Sequence, residues 1–88
     1  MMFKRPKLTL SSASSSFDLL QEALAQYHVD LEPSMLGSAV GSIGMDDIDF
    51  VEALELVEKT LGIKINRRDL GSSTTFGDVV AMIDEGRT

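Results

Sequence analysis

The chain has 88 residues and no cysteine, so it is one small domain without disulfide bonds or thiolate metal sites. Its net charge of −6 is uneven, because Lys4, Arg5 and Lys7 make the first ten residues +3 and leave −9 on the rest. An acidic body repels nucleic-acid phosphates, which argues against a DNA- or RNA-binding core, and attracts partners with basic patches.

Residues 1–15 are polar and rich in serine, and they carry no apolar periodicity. We interpret them as a flexible N-terminal tail, and residues 16–88 as the folded domain. The basic start MMFKRPK lacks the apolar stretch of a secretory signal, and no apolar run is long enough to span a bilayer. We therefore expect a cytoplasmic protein without stable membrane insertion. Contact of the basic tail with a membrane or a nucleic acid remains an alternative to a solvated tail.

A first helix is predicted after the serine tract, with Ser15 or Ser16 as its cap. Its apolar residues recur at spacings of three and four and form one stripe that includes the only tyrosine: Phe17, Leu20, Leu24, Tyr27 and Leu31. Pro33 stops the helix, and His28 near its end is expected to act as a cap rather than a ligand. The glycine-rich segment SMLGSAVGSIG, residues 34–44, predicts a long structured loop over part of the core, and it does not match a phosphate-binding loop.

The second helix is predicted from Asp46 or Asp47 to about Leu61, ended by Gly62 in a left-handed conformation. Its core face combines Ile48, Val51, Leu54, Val57 and Leu61, widened by Phe50 and Leu56.

A short helical turn is predicted between Asn66 and Leu70. Thr75 and Asp78 resemble a capping box that opens a last helix, with Gly86 at its end. The apolar face of that helix comprises Phe76, Val79, Val80 and Ile83. The fold class is therefore all-α, a four-helix bundle of three main helices and one short helix with a long first loop.

Three acids, Asp46, Asp47 and Asp49, crowd the start of the second helix. They either cap the helix or mark a chemical site. Their oxygens suit Ca²⁺ or Mg²⁺, but the sequence lacks the twelve-residue calcium loop, so we expect at most adventitious cation binding and no metal site. Acid–base catalysis by paired carboxylates needs a pocket that separates their pKa values, which a helix start in so small a bundle does not favour. We therefore expect no enzyme activity.

Acids continue along the second helix at steps of three. Asp49, Glu52 and Glu55 span one face of about 120°, and Glu58 turns away from it. This pattern is typical of a solvated face, and it also suits a surface for a basic partner. A basic cluster follows the acids and either pairs with them internally or forms a second contact: Lys59, Lys64, Arg67 and Arg68.

From Gly44 to Ile83 the chain resembles the acyl carrier protein family, whose signature is Asp-Ser-Leu at the start of the second helix. The segment GMDDIDFVEALELVEKTLGIKI aligns with that helix without a gap, and TTFGDVVAMI falls where the family's last helix begins. Residues 17–43 fit the family's first helix and loop in length and pattern, although less specifically.

The resemblance implies that Asp46 matches the signature Asp, Ile48 the Leu, and Asp47 the serine that carries 4′-phosphopantetheine in the family. A carboxylate cannot take this arm as a stable ester, because attack on coenzyme A's pyrophosphate would give an acyl phosphate that hydrolyses. We therefore expect no cofactor on Asp47, and 4′-phosphopantetheine only if that position were Ser. Ser42 is a disfavoured substitute, because it lacks the motif's surroundings.

The resemblance also implies that basic surfaces of acyl-processing enzymes, synthases and transferases, meet the acidic side of the second helix, with Asp49, Glu52, Glu55 and Glu58 as docking residues. Two functions stay open. The protein is a monomeric, unmodified docking module of fatty-acid or polyketide-type metabolism, or it is a genuine phosphopantetheine-dependent acyl carrier in which Asp47 is an engineered replacement for serine.

Overall fold

The computed structural model describes residues 13–71 and 73–87. They form three α-helices in the order α1 (Ser16–Ala25), α2 (Asp47–Leu61) and α3 (Phe76–Arg87). Three short 3₁₀ helices lie in the connections, at Pro33–Met35, Val40–Ile43 and Arg67–Asp69. In the described ranges the only extended pairing is one isolated bridge between Ala39 and Thr75. The predicted all-α fold is confirmed, and the third 3₁₀ helix is the predicted short turn.

The first helix begins as predicted, because the Ser15 hydroxyl oxygen accepts a hydrogen bond of 3.1 Å from the Asp18 N–H. Its predicted extension to Leu31 is wrong. The chain leaves the helix through His28, which adopts a left-handed φ of 64°, while the Val29 N–H donates to the Leu24 carbonyl at 3.2 Å. His28 therefore ends α1 through its backbone conformation, in the arrangement usually formed by glycine. The predicted tail over residues 1–15 falls mostly on residues outside the described ranges, and the domain boundary stays a prediction.

The ends of α2 and the start of α3 follow the sequence signals closely. Gly62 has a φ of 68° and ends α2, as predicted. At α3 the Thr75 N–H donates to Asp78 at 3.1 Å, and the Asp78 N–H donates to the Thr75 hydroxyl at 3.0 Å. These two reciprocal bonds confirm the capping box and satisfy two backbone donors that the helix itself leaves unpaired.

The prediction that Gly86 ends the last helix is wrong, because α3 continues to Arg87. Gly86 has a packing role instead. A Cβ atom built on Gly86 would lie 2.9 Å from Cδ1 of Ile63, which is closer than such contacts occur. The missing side chain therefore lets the end of α3 pack directly against Ile63, the second residue after α2.

The core lies between the three helices and is sealed by the long loop. Its buried apolar side chains come from all three α-helices and from two connecting segments: Leu19, Leu20, Ala23, Leu24, Leu31, Phe50, Ala53, Leu54, Val57, Ile65, Phe76, Val79 and Ile83. The loop is structured, as predicted. Its Val40 N–H donates to Thr74 at 2.7 Å, and its Ser38 carbonyl accepts from the Phe76 N–H at 3.1 Å. The loop's half-buried side chains cover the core beside α3, namely Met35, Leu36, Val40 and Ile43.

A polar contact ties the start of α1 to the end of α3. The buried Ser16 hydroxyl donates to Asp84, and Arg87 Nη1 donates to the Ser14 carbonyl at 2.9 Å. Because Gly86 packs on Ile63 at the same end, the start of α1, the end of α2 and the end of α3 lie together. No helix within residues 13–71 and 73–87 is long and apolar enough to cross a membrane.

The fully buried Leu54 sits at the centre of α2's inner side, so Leu54→Ala should lower the free energy of unfolding by about 2–5 kcal/mol through lost burial and a residual cavity. The matched control is Ile48→Ala on the same helix, where the side chain is 66% exposed and the change should stay within about 0.5 kcal/mol. Chemical denaturation followed by circular dichroism measures both. Equal losses in the two variants would contradict this packing.

Candidate functional site

The acids at the start of α2 divide into one that caps the helix and one that does not. Asp46 is the N-cap: its backbone is extended, and its Oδ1 accepts a hydrogen bond of 3.2 Å from the Ile48 N–H. Asp47 is the first residue of the helix and is exposed. The interpretation of Asp47 as the cap is therefore wrong, because Asp46 already satisfies the backbone donor that a cap must bind.

The exposed Asp47 borders two surface hollows. The first, of about 270 Å³, lies between the start of α2 and the segments around Val40 and Leu70, with Phe50 in its wall. The second, of about 360 Å³, runs along α2 past Ile48 and Val51. Asp47 thus stands at a place that solvent and a partner can both approach.

Ile48 does not belong to the core. It is 66% exposed and is the only large exposed apolar side chain among the described residues. Successive residues of an α-helix turn by about 100°, so Ile48 lies about 120° from Leu54 around α2, whereas Glu58 lies only about 40° away. The predicted core face therefore misplaced Ile48, which stands beside Asp47 at the surface.

Three acids of α2 form an exposed group that we call the acidic surface: Asp49, Glu52 and Glu55. Glu52 and Glu55 are exposed and Asp49 is half-buried. Tyr27 reaches this surface from the turn after α1, and its hydroxyl donates to Glu52 Oε1 at 3.1 Å. Partial burial and this bond raise the pKa of the Tyr27 phenol above its usual value, and the charges of Glu52, Asp49 and Glu55 act in the same direction. The phenol therefore stays a neutral hydrogen-bond donor.

Glu58 does not join the acidic surface. It is only 8% exposed, and its Oε2 accepts a hydrogen bond of 2.6 Å from the Ile65 N–H. Its Oε1 accepts a second bond of 2.9 Å from Arg67 Nη2. The prediction of Glu58 as a docking residue is corrected here, because its carboxylate is turned inward and holds the segment that follows α2.

The basic cluster splits in the same way. Arg67 pairs with Glu58 and lies 3.8 Å from Glu55 Oε2, so it forms the internal contact that was one of the two alternatives for this cluster. Lys59 and Lys64 instead line a groove beside the acidic surface. Arg68 is exposed, with its N–H bonded to the Asn66 side chain at 3.0 Å.

Two further candidates have simple local surroundings. The Ser42 hydroxyl donates to the Ala39 carbonyl at 2.7 Å within a 3₁₀ helix that precedes α2. For cations, the described part of the chain contains no group of three or more His, Asp or Glu side chains placed to hold a metal ion.

The bond between Tyr27 and Glu52 was not predicted from the sequence, because Tyr27 fitted the apolar stripe of the first helix. The end of α1 before Tyr27 frees that side chain to reach across to α2. The burial of Glu58 could have been predicted from the sequence, since Glu58 lies close to Leu54 on a helical projection. The spacing already turned Glu58 away from the other acids, but the resemblance to acyl carrier proteins grouped it with them as a docking residue.

Residues 18–83 match the family described as "Phosphopantetheine attachment site". The match includes most of α1, the long loop, α2 and most of α3. Searches of curated proteins and of solved structures returned no significant match.

Glu58→Ala should lower the free energy of unfolding by about 1–3 kcal/mol, because the buried Ile65 N–H loses its acceptor and Arg67 loses its closest partner. The matched control is Glu55→Ala, which removes an exposed carboxylate 3.8 Å from the same guanidinium and should cost less than about 1 kcal/mol. Denaturant titrations of the two variants give the comparison. A Glu58 variant as stable as the control would contradict the anchoring role.

Proposed function

Because the chain belongs to the phosphopantetheine-attachment family, we propose that it is an acyl-carrier-type module that stays unmodified at position 47 and works by docking to acyl-processing enzymes. The observation that carries this proposal is the exposed carboxylate of Asp47 on the first residue of α2, beside the helix cap. Carrier domains of this family are typically not catalytic themselves, and the proposal assigns no reaction to this chain.

Phosphopantetheine does not fit the residue at position 47. Attachment of the arm as a stable ester needs a hydroxyl, and Asp47 offers a carboxylate whose product would hydrolyse. The fold does not depend on the side chain at this position, since Asp46 provides the cap. A change between Ser and Asp at position 47 would therefore alter the chemistry and leave the helix intact.

The docking part of the proposal rests on the acidic surface and on Ile48. The exposed carboxylates lie beside an exposed apolar side chain, and a hollow of about 360 Å³ runs between them. An apolar contact surrounded by charged groups is a common form of protein interface. Basic surfaces of synthases and transferases in fatty-acid or polyketide-type metabolism are the partners of matching charge. In this proposal the protein acts as a cytoplasmic monomer.

A second function remains within the same family. In it the protein is a genuine phosphopantetheine-dependent carrier, and Asp47 is an engineered replacement that holds it unmodified. The exposure of position 47 favours this alternative as much as the first, because a serine there would be open to a transferase. The codon at this position in the natural gene separates the two.

Incubated with coenzyme A and a broad-specificity phosphopantetheinyl transferase, the protein should keep its unmodified mass, whereas Asp47→Ser should gain the mass of one phosphopantetheine arm. Intact-mass spectrometry reads both results. Asp47→Ala is the matched control and should stay unmodified. Circular dichroism of all three should agree, since Asp46 keeps the cap.

Modification of the unaltered protein would contradict the proposal, and adding Ser42→Ala would then show whether Ser42 carries the arm. Failure of Asp47→Ser across several transferases, with the fold intact, would show that the surrounding surface no longer suits a transferase. That result would reject the carrier alternative and leave docking to be tested separately.

Reversal of Glu52 and Glu55 to Lys should weaken binding of a partner enzyme captured by pull-down and identified by mass spectrometry. We expect a loss of about tenfold or more, roughly 1.4 kcal/mol, because two attractive contacts become repulsive. The loss should shrink with added salt, which screens exposed charges beyond about 10 Å at 0.1 M. Calorimetric or surface-based titration measures the affinity.

Two controls separate docking from other effects. Reversal of Asp18 and Asp30 to Lys makes the same change in net charge at exposed sites outside α2 and should leave the affinity unchanged. Tyr27→Phe removes only the hydrogen bond to Glu52 and tests whether that bond orients the carboxylate. If the two pairs of reversals lowered the partner affinity equally, the acids of α2 would be an ordinary solvated face and not a specific docking surface.

A further inference from the structure

A groove runs along the outer side of α2, and we call it the α2 groove. It encloses about 560 Å³. Half-buried Tyr27, Leu56 and Ile63 give it apolar walls. Glu52 and Glu55 of the acidic surface line it as well. It thus combines an apolar floor with carboxylates toward the Tyr27 end and with the cations Lys59 and Lys64 toward the Ile63 end, and within the described ranges no segment fills it.

The two ends of the α2 groove are fixed by contacts with the other helices. Tyr27, after the end of α1, bonds to Glu52 at one end. At the other end Ile63 packs on Gly86, and the neighbouring Arg87 bonds to the Ser14 carbonyl before the start of α1. α1 therefore runs beside α2 in the opposite direction, and the chain that precedes α1 joins the domain near the Ile63 end.

We propose that the basic N-terminal segment FKRPKL, residues 3–8, docks in the α2 groove of its own chain and covers the acidic surface. Its composition matches the groove in both respects, since Phe3 and Leu8 suit the apolar walls and three cations suit the carboxylates. The segment belongs to the first ten residues, which carry +3, while the rest of the chain carries −9. Opposite charges of this size attract one another at low ionic strength.

The length of the connecting chain permits this contact. Lys7 precedes Ala13 by six residues, which span up to about 20 Å when extended. The groove from Ile63 to Glu52 covers eleven residues, or about 16 Å of helix. Lys7 can therefore reach Glu55, and the earlier cations can reach Glu52. Lys59 and Lys64 also line the groove near the Ile63 end. They repel the cations of the tail there, which favours binding of those cations at Glu55 and Glu52.

Tethering makes a weak contact effective. A short connecting chain holds the segment at an effective concentration in the millimolar range, which a separate basic ligand must exceed to displace it. If the acidic surface binds partner enzymes, as in the proposed function, the docked segment competes with them and the protein restrains its own docking. The intramolecular contact itself does not depend on that function.

A spin label on Met2→Cys tests the contact in the full chain, and the label is unique because the sequence has no cysteine. Docking predicts paramagnetic broadening of the Glu52 and Glu55 amide signals in about 0.01 M salt. It also predicts loss of that broadening in about 1 M salt, where the screening length falls from about 30 Å to about 3 Å. The Asp78 amide at the start of α3, far from the tether, serves as the internal reference.

The matched control carries the same label in a tail of the same length with Lys4, Arg5 and Lys7 changed to Glu. Broadening at Glu52 and Glu55 should be lost in this variant, while broadening beside Ser14, caused by the tether alone, should persist. Phe3→Ser removes the apolar contact at the Tyr27 end and should reduce the broadening at Glu52. Reversal of Glu52 and Glu55 to Lys, with the native tail kept, should also abolish the broadening of the groove amides.

Equal broadening with the native and the reversed tail, or none at low salt, would overturn the proposal. Vesicles that contain anionic phospholipid give a further outcome. Binding of the native tail to them, with no broadening of the groove amides in their absence, would make the segment a membrane contact instead. No partner enzyme takes part in these measurements, so their failure would leave the proposed docking function to its own test.

Discussion

Burial of one side of α2 against the other helices determines which residues of the chain can meet a partner. The core residues on this side, namely Phe50, Ala53, Leu54 and Val57, are withdrawn from solvent, chiefly by packing against α1. Because a helix turns by about 100° per residue, fixing Leu54 inward also turns Glu52 and Glu55 outward. The acidic surface is thus a geometric consequence of core packing.

The segment between α2 and α3 depends on a polar contact inside this apolar frame. Glu58 bonds to the Ile65 N–H and to Arg67, and so fixes the path of the chain after Gly62. A buried carboxylate with two partners is tolerated, whereas one without them is costly. Because Arg67 pairs with Glu58, its charge only partly neutralises the exposed acids. The outer carboxylates therefore keep much of their negative potential.

The amino-acid sequence by itself determined the all-α class, the start of every α-helix, the end of α2 at Gly62 and the family. These features depend on local chemistry: a Ser15 hydroxyl or the Thr75–Asp78 pair satisfies free N–H groups at a helix start, and glycine accepts a left-handed backbone. The sequence also identified Asp47 as the unusual residue of the site, because alignment with the family's motif is enough to place it at the serine position.

Only the tertiary structure decided the roles of individual side chains around that site. It placed Ile48 at the surface and Glu58 in the interior. It also ended α1 at Ala25, which brought Tyr27 onto Glu52. Each of these outcomes depends on which neighbours lie across the core, and residues distant in sequence set that arrangement. Spacing along one helix defines its faces, but only packing against the other helices selects the face that is buried.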